Sequence, residues 1–322
     1  MRDPLALPEL RKAADEVHET LLPTLQAPWP LLCERIGAEA WLKHENHLPV
    51  GAFKVRGGLP LLRRLRRQGV EHVVAATRGN HGQSVAFAAR RYGLRATIVV
   101  PFGNGISKNR AMRALGATLV EHGRDFQAAL EHARTLAADQ GATLIPSFSF
   151  DLVRGVASYA LELFQAAGRL DAVYVPIGLG SGICGVAAAR DALGLRTEIV
   201  GVVAAKANCY ALSFAAGRPV STPSADTVAD GLACRVPNEE ALDFMRGRVS
   251  RVVEVGEAEI RSAMRCLFSD TGNAAEGAGA AALAAALRER DRLSGKRVGL
   301  VLSGGNVDPA LFAEVLGEAT TA

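Results

Sequence analysis

The sequence predicts an α/β protein built from two parallel β-sheets with helices on their faces. Three observations support this prediction. The chain has 322 residues, which is enough for two domains of ordinary size. Hydrophobic residues make up 49% of it and charged residues 22%, a balance typical of a well-buried globular protein. From about residue 70 onward, short β-branched runs alternate with longer alanine-rich runs, and this order indicates parallel strands joined by helices.

The first series of alternating segments covers residues 72–145. Strands are predicted at 72–76, 96–100, 118–121 and 143–145, where β-branched residues are frequent. Helices are predicted between them, at 84–92, 107–115 and 125–139. Each of these helices ends close to a glycine, the residue that most often terminates a helix. The series therefore predicts one complete α/β unit.

A second series follows residues 146–152, which we interpret as the seam between two units. Strands are predicted at 172–176, 198–203 and 297–302. Helices are predicted at 153–167, from the end of the glycine-rich loop 178–185 to residue 193, and at 274–290. The stretch 215–238 contains three prolines and is predicted to be irregular, as a surface loop near a site would be.

Charge and cysteine content narrow the function classes. Lysine and arginine total 37 against 33 acidic residues, and a net charge of only +4 gives no indication of nucleic-acid or membrane-surface binding. No apolar run reaches the roughly 18 residues of a spanning helix, and no secretory signal is recognisable. We expect reduced thiols and a cytoplasmic protein, because no C-x-x-C motif occurs among the five scattered cysteines, Cys33, Cys184, Cys209, Cys234 and Cys266.

The first segment that could carry chemistry is the run Gly-Ala-Phe-Lys-Val-Arg-Gly-Gly at residues 51–58. Lysine forms Schiff bases with carbonyl groups, and burial lowers its pKa so that the free amine can attack. Lys54 is therefore a candidate catalytic residue. Taken alone, it could equally be a surface lysine at the start of a helix.

The second segment, Thr-Arg-Gly-Asn-His-Gly-Gln at 77–83, lies between a predicted strand and a predicted helix. Backbone N–H groups at a helix start bind anions, and glycine allows the backbone to approach a ligand closely. A carboxylate or a phosphate would fit here. The alternative is an ordinary turn in which Asn80 caps the helix.

The third segment is Gly-Leu-Gly-Ser-Gly at 178–182, directly after a predicted strand, and it has the character of a phosphate cradle. Its glycines also satisfy G-x-G-x-x-G. A dinucleotide site would need an acidic residue at the end of the next strand, but that strand runs into Ala204 and Ala205. A nicotinamide dehydrogenase is therefore disfavoured.

The fourth segment, Ser-Gly-Gly-Asn at 303–306, follows the predicted strand 297–302. A hydroxyl group at the carboxyl end of a strand points into the crevice where α/β proteins bind ligands. Ser303 is therefore a candidate ligand-binding residue, although the segment could also be a simple turn.

In their order and spacing, the four segments resemble the pyridoxal-phosphate enzymes of the tryptophan-synthase β fold, specifically the serine/threonine dehydratase branch. The matching motifs are Phe-Lys-x-Arg-Gly at 53–57, Gly-Asn-His-Gly-Gln at 79–83, the glycine cradle and Ser-Gly-Gly-Asn. The run Glu-Gly-Ala-Gly-Ala at 276–280 is similar to the family's Glu-Pro-x-Gly-Ala. The resemblance spans residues 43–306.

This resemblance implies two parallel-sheet α/β domains with pyridoxal 5'-phosphate in the cleft between them. Residues 1–44 and 147–322 would form a large cofactor-binding domain, and residues 45–146 a small domain that carries the asparagine loop. The resemblance also implies a homodimer that acts on an amino acid. The expected reaction is that of an ammonia-lyase, which converts L-threonine to 2-oxobutanoate, L-serine to pyruvate, or both.

Residue roles follow from the same resemblance. Lys54 would bind the cofactor covalently, Phe53 would pack against its ring, and Asn80 would hydrogen-bond the ring hydroxyl. Ser303 would lie at the ring nitrogen, where a neutral hydroxyl favours rapid expulsion of a β-leaving group. Further cofactor contacts are expected from Gly178, Leu179, Gly180, Ser181, Gly182, Glu276 and Gly304. The substrate carboxylate would bind to Thr77, Arg78, Gly79, Asn80 and His81.

Three positions depart from the family pattern. Arg78 and Ala52 each replace a serine that is common in this branch. Arginine cannot act as a base, so we expect no racemisation, and Arg78 could either pair with a substrate carboxylate or point into solvent. The loss of a hydroxyl at Ala52 would change the rate or the substrate fit. Residues 204–208 read Ala-Ala-Lys-Ala-Asn where metal-binding relatives carry carboxylates, so no metal is expected there.

Two alternatives to the threonine and serine reaction stay open. Arg78 could select a substrate with a second carboxylate, such as 3-hydroxyaspartate. The chain could also be a regulatory protein that binds the cofactor without turnover, which the unusual Arg78 and Ala52 suggest.

Overall fold

The structure is a computed structural model that describes residues 3–318 as alternating helices and strands. The strands are β1 (Gln26–Pro28), β2 (Glu39–His44), β3 (His72–Ala76), β4 (Arg95–Val100), β5 (Thr118–Glu121), β6 (Thr143–Leu144), β7 (Ala172–Pro176), β8 (Glu198–Ala204), β9 (Arg251–Val255) and β10 (Arg297–Leu302). The helices are α1 (Leu7–His18), α2 (Pro30–Ile36), α3 (Val55–Arg67), α4 (Asn80–Tyr92), α5 (Ile106–Ala114), α6 (Phe126–Asp139), α7 (Phe150–Ala167), α8 (Ser181–Ala192), α9 (Cys209–Ala216), α10 (Glu239–Met245), α11 (Glu257–Thr271), α12 (Gly277–Arg288), α13 (Arg290–Leu293) and α14 (Pro309–Gly317).

Two sheets organise these elements, as predicted. The larger sheet has the strand order β1-β2-β10-β7-β8-β9, and the smaller has the order β5-β4-β3-β6. All pairs are parallel except β1 with β2, which is antiparallel. The predicted bounds of the two domains stay a prediction.

Both sheets are buried on both faces, as parallel sheets require. Along β7, Tyr174 belongs to one apolar cluster, while Val173 and Val175 belong to the cluster on the opposite face. In β3, Val73 faces one cluster and Val74 the other. The alternation follows from the two-residue period of a strand, and it explains why the strands read as continuous apolar runs.

The predicted strands are found with ends that shift by no more than one residue, but four helices begin three or more residues from the predicted position. One of them is α7, which begins at Phe150 instead of residue 153. Helix α4 begins at Asn80 instead of residue 84, and α8 begins at Ser181 inside the segment that was predicted to be a loop. Helix α12 begins at Gly277 instead of residue 274. In α4 and α8 the opening turn contains a glycine and polar residues such as Asn80 and Ser181, which weaken the apolar periodicity that indicates a helix.

This topology brings three loops to the carboxyl ends of strands, where α/β folds bind ligands. Ser303 follows β10 and Gly178 follows β7, its neighbour in the larger sheet. Thr77 follows β3 of the smaller sheet. Among residues 3–318, no helix combines the length and the apolar composition that a membrane crossing requires.

Candidate active site

The lysine loop is joined to the end of β10. Ala52 and Gly304 form an isolated antiparallel bridge. The backbone N–H of Phe53 donates to the carbonyl oxygen of Ser303 at 3.1 Å. Lys54 comes next and forms the N-cap of α3. The candidate lysine is therefore held directly beside the Ser-Gly-Gly-Asn segment.

Lys54 has the electrostatic character of a nucleophile. Burial lowers the pKa of its amine to about 8, although the negative charge of Glu276 opposes this shift. Its Nζ lies 4.9 Å from the centre of the Phe53 ring. The hydroxyl of Ser84 donates to the Lys54 carbonyl at 2.8 Å and fixes the backbone at this point. Near pH 8, a large share of the molecules carries an uncharged amine that can attack a carbonyl.

The glycine cradle has a backbone that only glycine fits. Gly180 adopts φ +101°, and a Cβ atom there would come within 2.6 Å of the Cβ of Ala241. A Cβ atom on Gly178 would come within 2.3 Å of the carbonyl oxygen of Gly231. Helix α8 begins immediately afterwards at Ser181, so its first N–H groups lack intrahelical acceptors. Such a turn is suited to a phosphate group.

Phe53 connects the cradle to the lysine loop. A Cβ atom on Gly182 would lie 3.5 Å from the Cζ of Phe53 and 3.5 Å from the hydroxyl of Tyr159. That hydroxyl donates to the carbonyl oxygen of Gly182 at 3.1 Å. The rings of Phe53 and Tyr159 meet edge to face, with centres 6.0 Å apart. The cradle and Lys54 therefore border the same space.

Asn80 forms hydrogen bonds with two residues on the larger sheet's side of the site. Its amide Nδ2 donates to Oε1 of Glu276 at 2.6 Å, and its Oδ1 accepts from Nδ2 of Asn306 at 2.9 Å. A Cβ atom on Gly304 would lie 2.4 Å from Oε1 of Glu276 and 3.3 Å from Nδ2 of Asn80. Burial raises the pKa of Glu276, while the positive charge of Lys108 and the Asn80 hydrogen bond oppose this shift.

The substrate loop, residues 77–81, is held by its first residue. The Oγ1 of Thr77 accepts from the N–H of Gly79 at 2.9 Å and from the N–H of Gly82 at 3.2 Å. Asn80 and His81 form the first turn of α4, where N–H groups have no intrahelical acceptor. Within the loop, the N–H groups of Asn80 and His81 are therefore suited to a carboxylate.

His81 and Arg78 differ sharply in burial. His81 is buried and its Nε2 has no hydrogen-bond partner. Burial, with a contribution from the positive charge of Lys54, lowers the pKa of His81 to about 3, so the imidazole is neutral at physiological pH. Arg78 is exposed and makes no hydrogen bond or ion pair within residues 3–318. The loop thus carries a buried neutral imidazole at His81 and a solvent-exposed guanidinium at Arg78.

Ser303 directly follows β10, and its side chain is buried. Its hydroxyl donates to the carbonyl oxygen of Ala278 at 3.4 Å, a long contact that leaves the hydroxyl free to reorient toward a ligand. Ala278 belongs to the same turn of α12 that follows Glu276. The structure therefore brings Lys54, Asn80, the cradle, Glu276 and Ser303 together.

Two partners in the site were not singled out from the sequence. Asn306 was part of a quoted motif, but nothing indicated that its amide would bond Asn80. Tyr210, whose hydroxyl donates to the carbonyl oxygen of Leu179 at 2.9 Å and supports the cradle, had no signal at all. Both contacts depend on residues far apart in the chain.

The segment 204–208 lies at the end of β8, away from any cluster of carboxylates. Asn208 donates from its Nδ2 to Oε2 of Glu254 at 3.0 Å. Within residues 3–318, no group of three His, Cys, Asp or Glu side chains could hold a metal ion. The expectation about a metal stays a prediction.

Known proteins resemble this chain along most of its length. The family described as "Pyridoxal-phosphate dependent enzyme" matches residues 18–304. An L-threonine ammonia-lyase of Thermotoga maritima is 32% identical over 98% of this chain and 79% of its own. An L-threo-3-hydroxyaspartate ammonia-lyase of Saccharomyces cerevisiae is 32% identical over 94% of each chain.

A solved structure agrees with the fold. The processed form of threonine deaminase isoform 2 from Solanum lycopersicum superposes with a TM-score of 0.90. That match covers 98% of this chain and 96% of the other, at 28% sequence identity. The two-sheet architecture and the cleft between the sheets are thus shared with a threonine deaminase.

Proposed function

Because the chain belongs to the pyridoxal-phosphate dependent enzymes, we propose that it is an ammonia-lyase that removes water and then ammonia from a hydroxy amino acid. L-Threonine would give 2-oxobutanoate, and L-serine would give pyruvate. The single observation that carries the proposal is Lys54, whose pKa is lowered to about 8 where the glycine cradle, Asn80 and Ser303 converge. The relative named L-threonine ammonia-lyase supports the choice of reaction.

The residues present fit pyridoxal 5'-phosphate. Lys54 would bind it covalently, and residues 178–182 would hold its phosphate in a turn that side chains would fill. Asn80 and Ser303 would contact the ring hydroxyl and the ring nitrogen. Glu276 is positioned to orient Asn80. When bound, the cofactor supplies an electron sink for the electron pair that is released as the α-proton leaves.

The chain's own side chains account for the remaining steps. The N–H groups at the start of α4 would bind the substrate carboxylate. Nζ of Lys54, uncharged in a large share of molecules, would accept the α-proton. The β-hydroxyl would then leave with a proton as water. The aminoacrylate product would hydrolyse to a keto acid and ammonia after release.

The test uses the purified holoenzyme and the variant Lys54→Ala. We expect the wild type to show a visible absorbance band of the bound cofactor and to release keto acid from L-threonine or L-serine. Lys54→Ala should lose both. Lys206→Ala, at an exposed lysine outside the site, is the control and should keep both. Keto-acid release by Lys54→Ala at the wild-type rate would refute the assignment of this lysine.

A second candidate function is the deamination of L-threo-3-hydroxyaspartate. The specific observation is Arg78, an exposed cation of the substrate loop that has no hydrogen-bond or ion-pair partner within residues 3–318. The yeast relative acts, by its name, on this dicarboxylate. If Arg78 recognises the second carboxylate, Arg78→Ser should lower kcat/KM for hydroxyaspartate and leave that for threonine unchanged. An unchanged ratio of the two kcat/KM values would show that Arg78 does not recognise the second carboxylate.

The alternative of a regulatory protein without turnover makes the opposite prediction, namely no keto acid from any amino acid.

The proposed ammonia-lyase would be a cytoplasmic homodimer. Its small domain would comprise residues 45–146, and its large domain residues 1–44 and 147–322. The five free cysteines, four of them buried, are compatible with a reducing compartment. Light scattering on the holoenzyme would measure the oligomeric state.

A further inference from the structure

One ion pair joins the two sides of the cleft at the candidate site. Nζ of Lys108, in α5 of the smaller sheet's unit, lies 2.8 Å from Oδ2 of Asp230. Asp230 lies between β8 and β9, which belong to the larger sheet. The Lys108 side chain is only 14% exposed and that of Asp230 48% exposed, so the pair is partly shielded from water.

Lys108 lies against the substrate loop. A Cβ atom on Gly79 would come within 2.9 Å of Cδ of Lys108 and 3.6 Å of its Nζ. The aliphatic part of the lysine therefore covers the backbone of Gly79, the residue before the first turn of α4. A side chain in this position limits how far the loop can move away from the site.

Asp230 lies against the opposite wall of the cleft. The carbonyl oxygen of the next residue, Gly231, occupies the space that a side chain at Gly178 of the cradle would need. The carbonyl oxygen of Val228 lies 2.8 Å from the position of a Cβ atom on Gly277, at the start of α12. The segment 228–231 is thus wedged between the cradle and the helix that follows Glu276.

The ion pair lies at the mouth of the site. A small cavity of about 80 Å³ is bordered by Lys108, Asp230, Glu276 and Asn306. The positive charge of Lys108 and the negative charge of Asp230 act in opposite directions on the pKa of Glu276, which places both charges near the carboxylate that bonds Asn80.

We propose that Lys108 and Asp230 are positioning residues whose ion pair holds the substrate loop against the phosphate side of the cleft. Through Gly79, the pair keeps the N–H groups of Asn80 and His81 directed at the space beside Lys54. Substrate entry requires the pair to open, and its closure holds the carboxylate in place. This inference rests on the proposed function for its substrate and acts through charge attraction, not through contact with the reacting atoms.

The charge can be removed with little change in shape. Lys108→Met keeps the aliphatic stem over Gly79 but lacks the ammonium, and Asp230→Asn is nearly isosteric. Each variant should raise KM for the preferred hydroxy amino acid about two- to fivefold, the factor that a partly exposed ion pair provides. The kcat of each should change less than KM. The double variant should be no worse than either single variant, because the same interaction is lost.

Binding without turnover provides a second measurement. L-Alanine has no β-leaving group, and its dissociation constant can be read from the absorbance of the bound cofactor. Both single variants should weaken L-alanine binding by the same factor by which they raise KM. High salt should weaken binding to the wild type more than to the variants, because salt screens a partly exposed pair.

A variant that carries both Lys108→Asp and Asp230→Lys exchanges the two charges. It distinguishes an ion pair between these residues from a direct contact of Lys108 with the substrate. If the two charges act on each other, the swap should restore most of the lost affinity. If Lys108→Met weakens binding while Asp230→Asn does not, and the swap fails to rescue, Lys108 contacts the substrate directly and the proposal is wrong. Unchanged affinity in both single variants would also overturn it.

Arg113→Met is the matched control. Arg113 also lies in α5, but its partner Glu121, at 3.4 Å, belongs to the same unit, so this pair does not cross the cleft. The control should leave KM and the L-alanine constant unchanged. Failure of the proposed function is distinguishable, since it would appear as a lack of keto acid from the wild type with any hydroxy amino acid.

Discussion

A buried cluster of four charges below the lysine loop makes Glu162→Gln a sensitive test of the packing. Lys43, Glu45 and Arg56 have fully buried side chains, and that of Glu162 is 6% exposed. Arg56 donates to both carboxylates, to Glu45 at 2.6 Å and to Glu162 at 2.5 Å. Lys43 also donates to Glu162. Two cations and two anions therefore balance one another in a buried cluster.

Glu162→Gln keeps the size of the side chain and removes one negative charge. Lys43 and Arg56 would then share the single carboxylate of Glu45, and the new amide would present donors to groups that are themselves donors. Removing one partner of a buried ion pair costs about 3–5 kcal/mol because an uncompensated charge stays behind. We expect a loss of this size in the free energy of unfolding.

Urea unfolding followed by tryptophan fluorescence measures this loss. The control is Glu198→Gln, which removes the half-exposed partner of Arg251 and should cost less than about 1 kcal/mol. Adding Lys43→Met to Glu162→Gln restores the charge balance and should recover part of the stability. A loss below about 1 kcal/mol, or no recovery in the double variant, would refute the reasoning.

The same cluster makes the stability of the fold depend on pH. Burial opposes the ionisation of Glu162, but the attraction of Arg56 and Lys43 outweighs it and lowers the pKa of this carboxyl. Stability from a lowered pKa is present above the pKa of the unfolded chain and is lost as the pH falls through the folded value. The wild type should therefore lose stability below about pH 4, and the glutamine variant should lack this part of the loss.

Three further predictions concern the site. In cofactor-free protein, the rate of pyridoxal-phosphate incorporation should rise with pH around a midpoint near 8, since only the uncharged amine of Lys54 attacks; a midpoint above about pH 10 would mean an exposed lysine. Gly180→Ala should weaken cofactor binding more than Gly194→Ala, because both glycines have positive φ but only the first would collide, with Ala241; equal loss in a cofactor titration would contradict the steric argument. The wild type should form no D-serine from L-serine on chiral chromatography, because Arg78 cannot act as a base.

The sequence identified the fold class because local patterns carry it. The apolar strands of a parallel sheet and the glycines that end the helices are visible without tertiary contacts. Three strands, β1, β2 and β9, escaped this reasoning, and β1 is only three residues long. β2 contains Lys43 and His44, which are buried by the charge cluster and by neighbouring rings, so its polar residues hide its position beside β10. β9 lies at the sheet edge and is only partly buried.

The candidate residues Lys54, Asn80 and Ser303 were named from motifs, because glycines and small polar residues around a reactive group are recognisable in one dimension. The hydrogen bonds and ion pairs that join distant residues of the site were not predicted. Glu276 is 196 residues from Asn80, and Asp230 is 122 residues from Lys108. Such contacts arise only when the two sheets face each other in the folded chain. The sequence by itself indicated which groups are candidates for the chemistry, and only the tertiary structure decided their charge state and partners, because burial and distance set both.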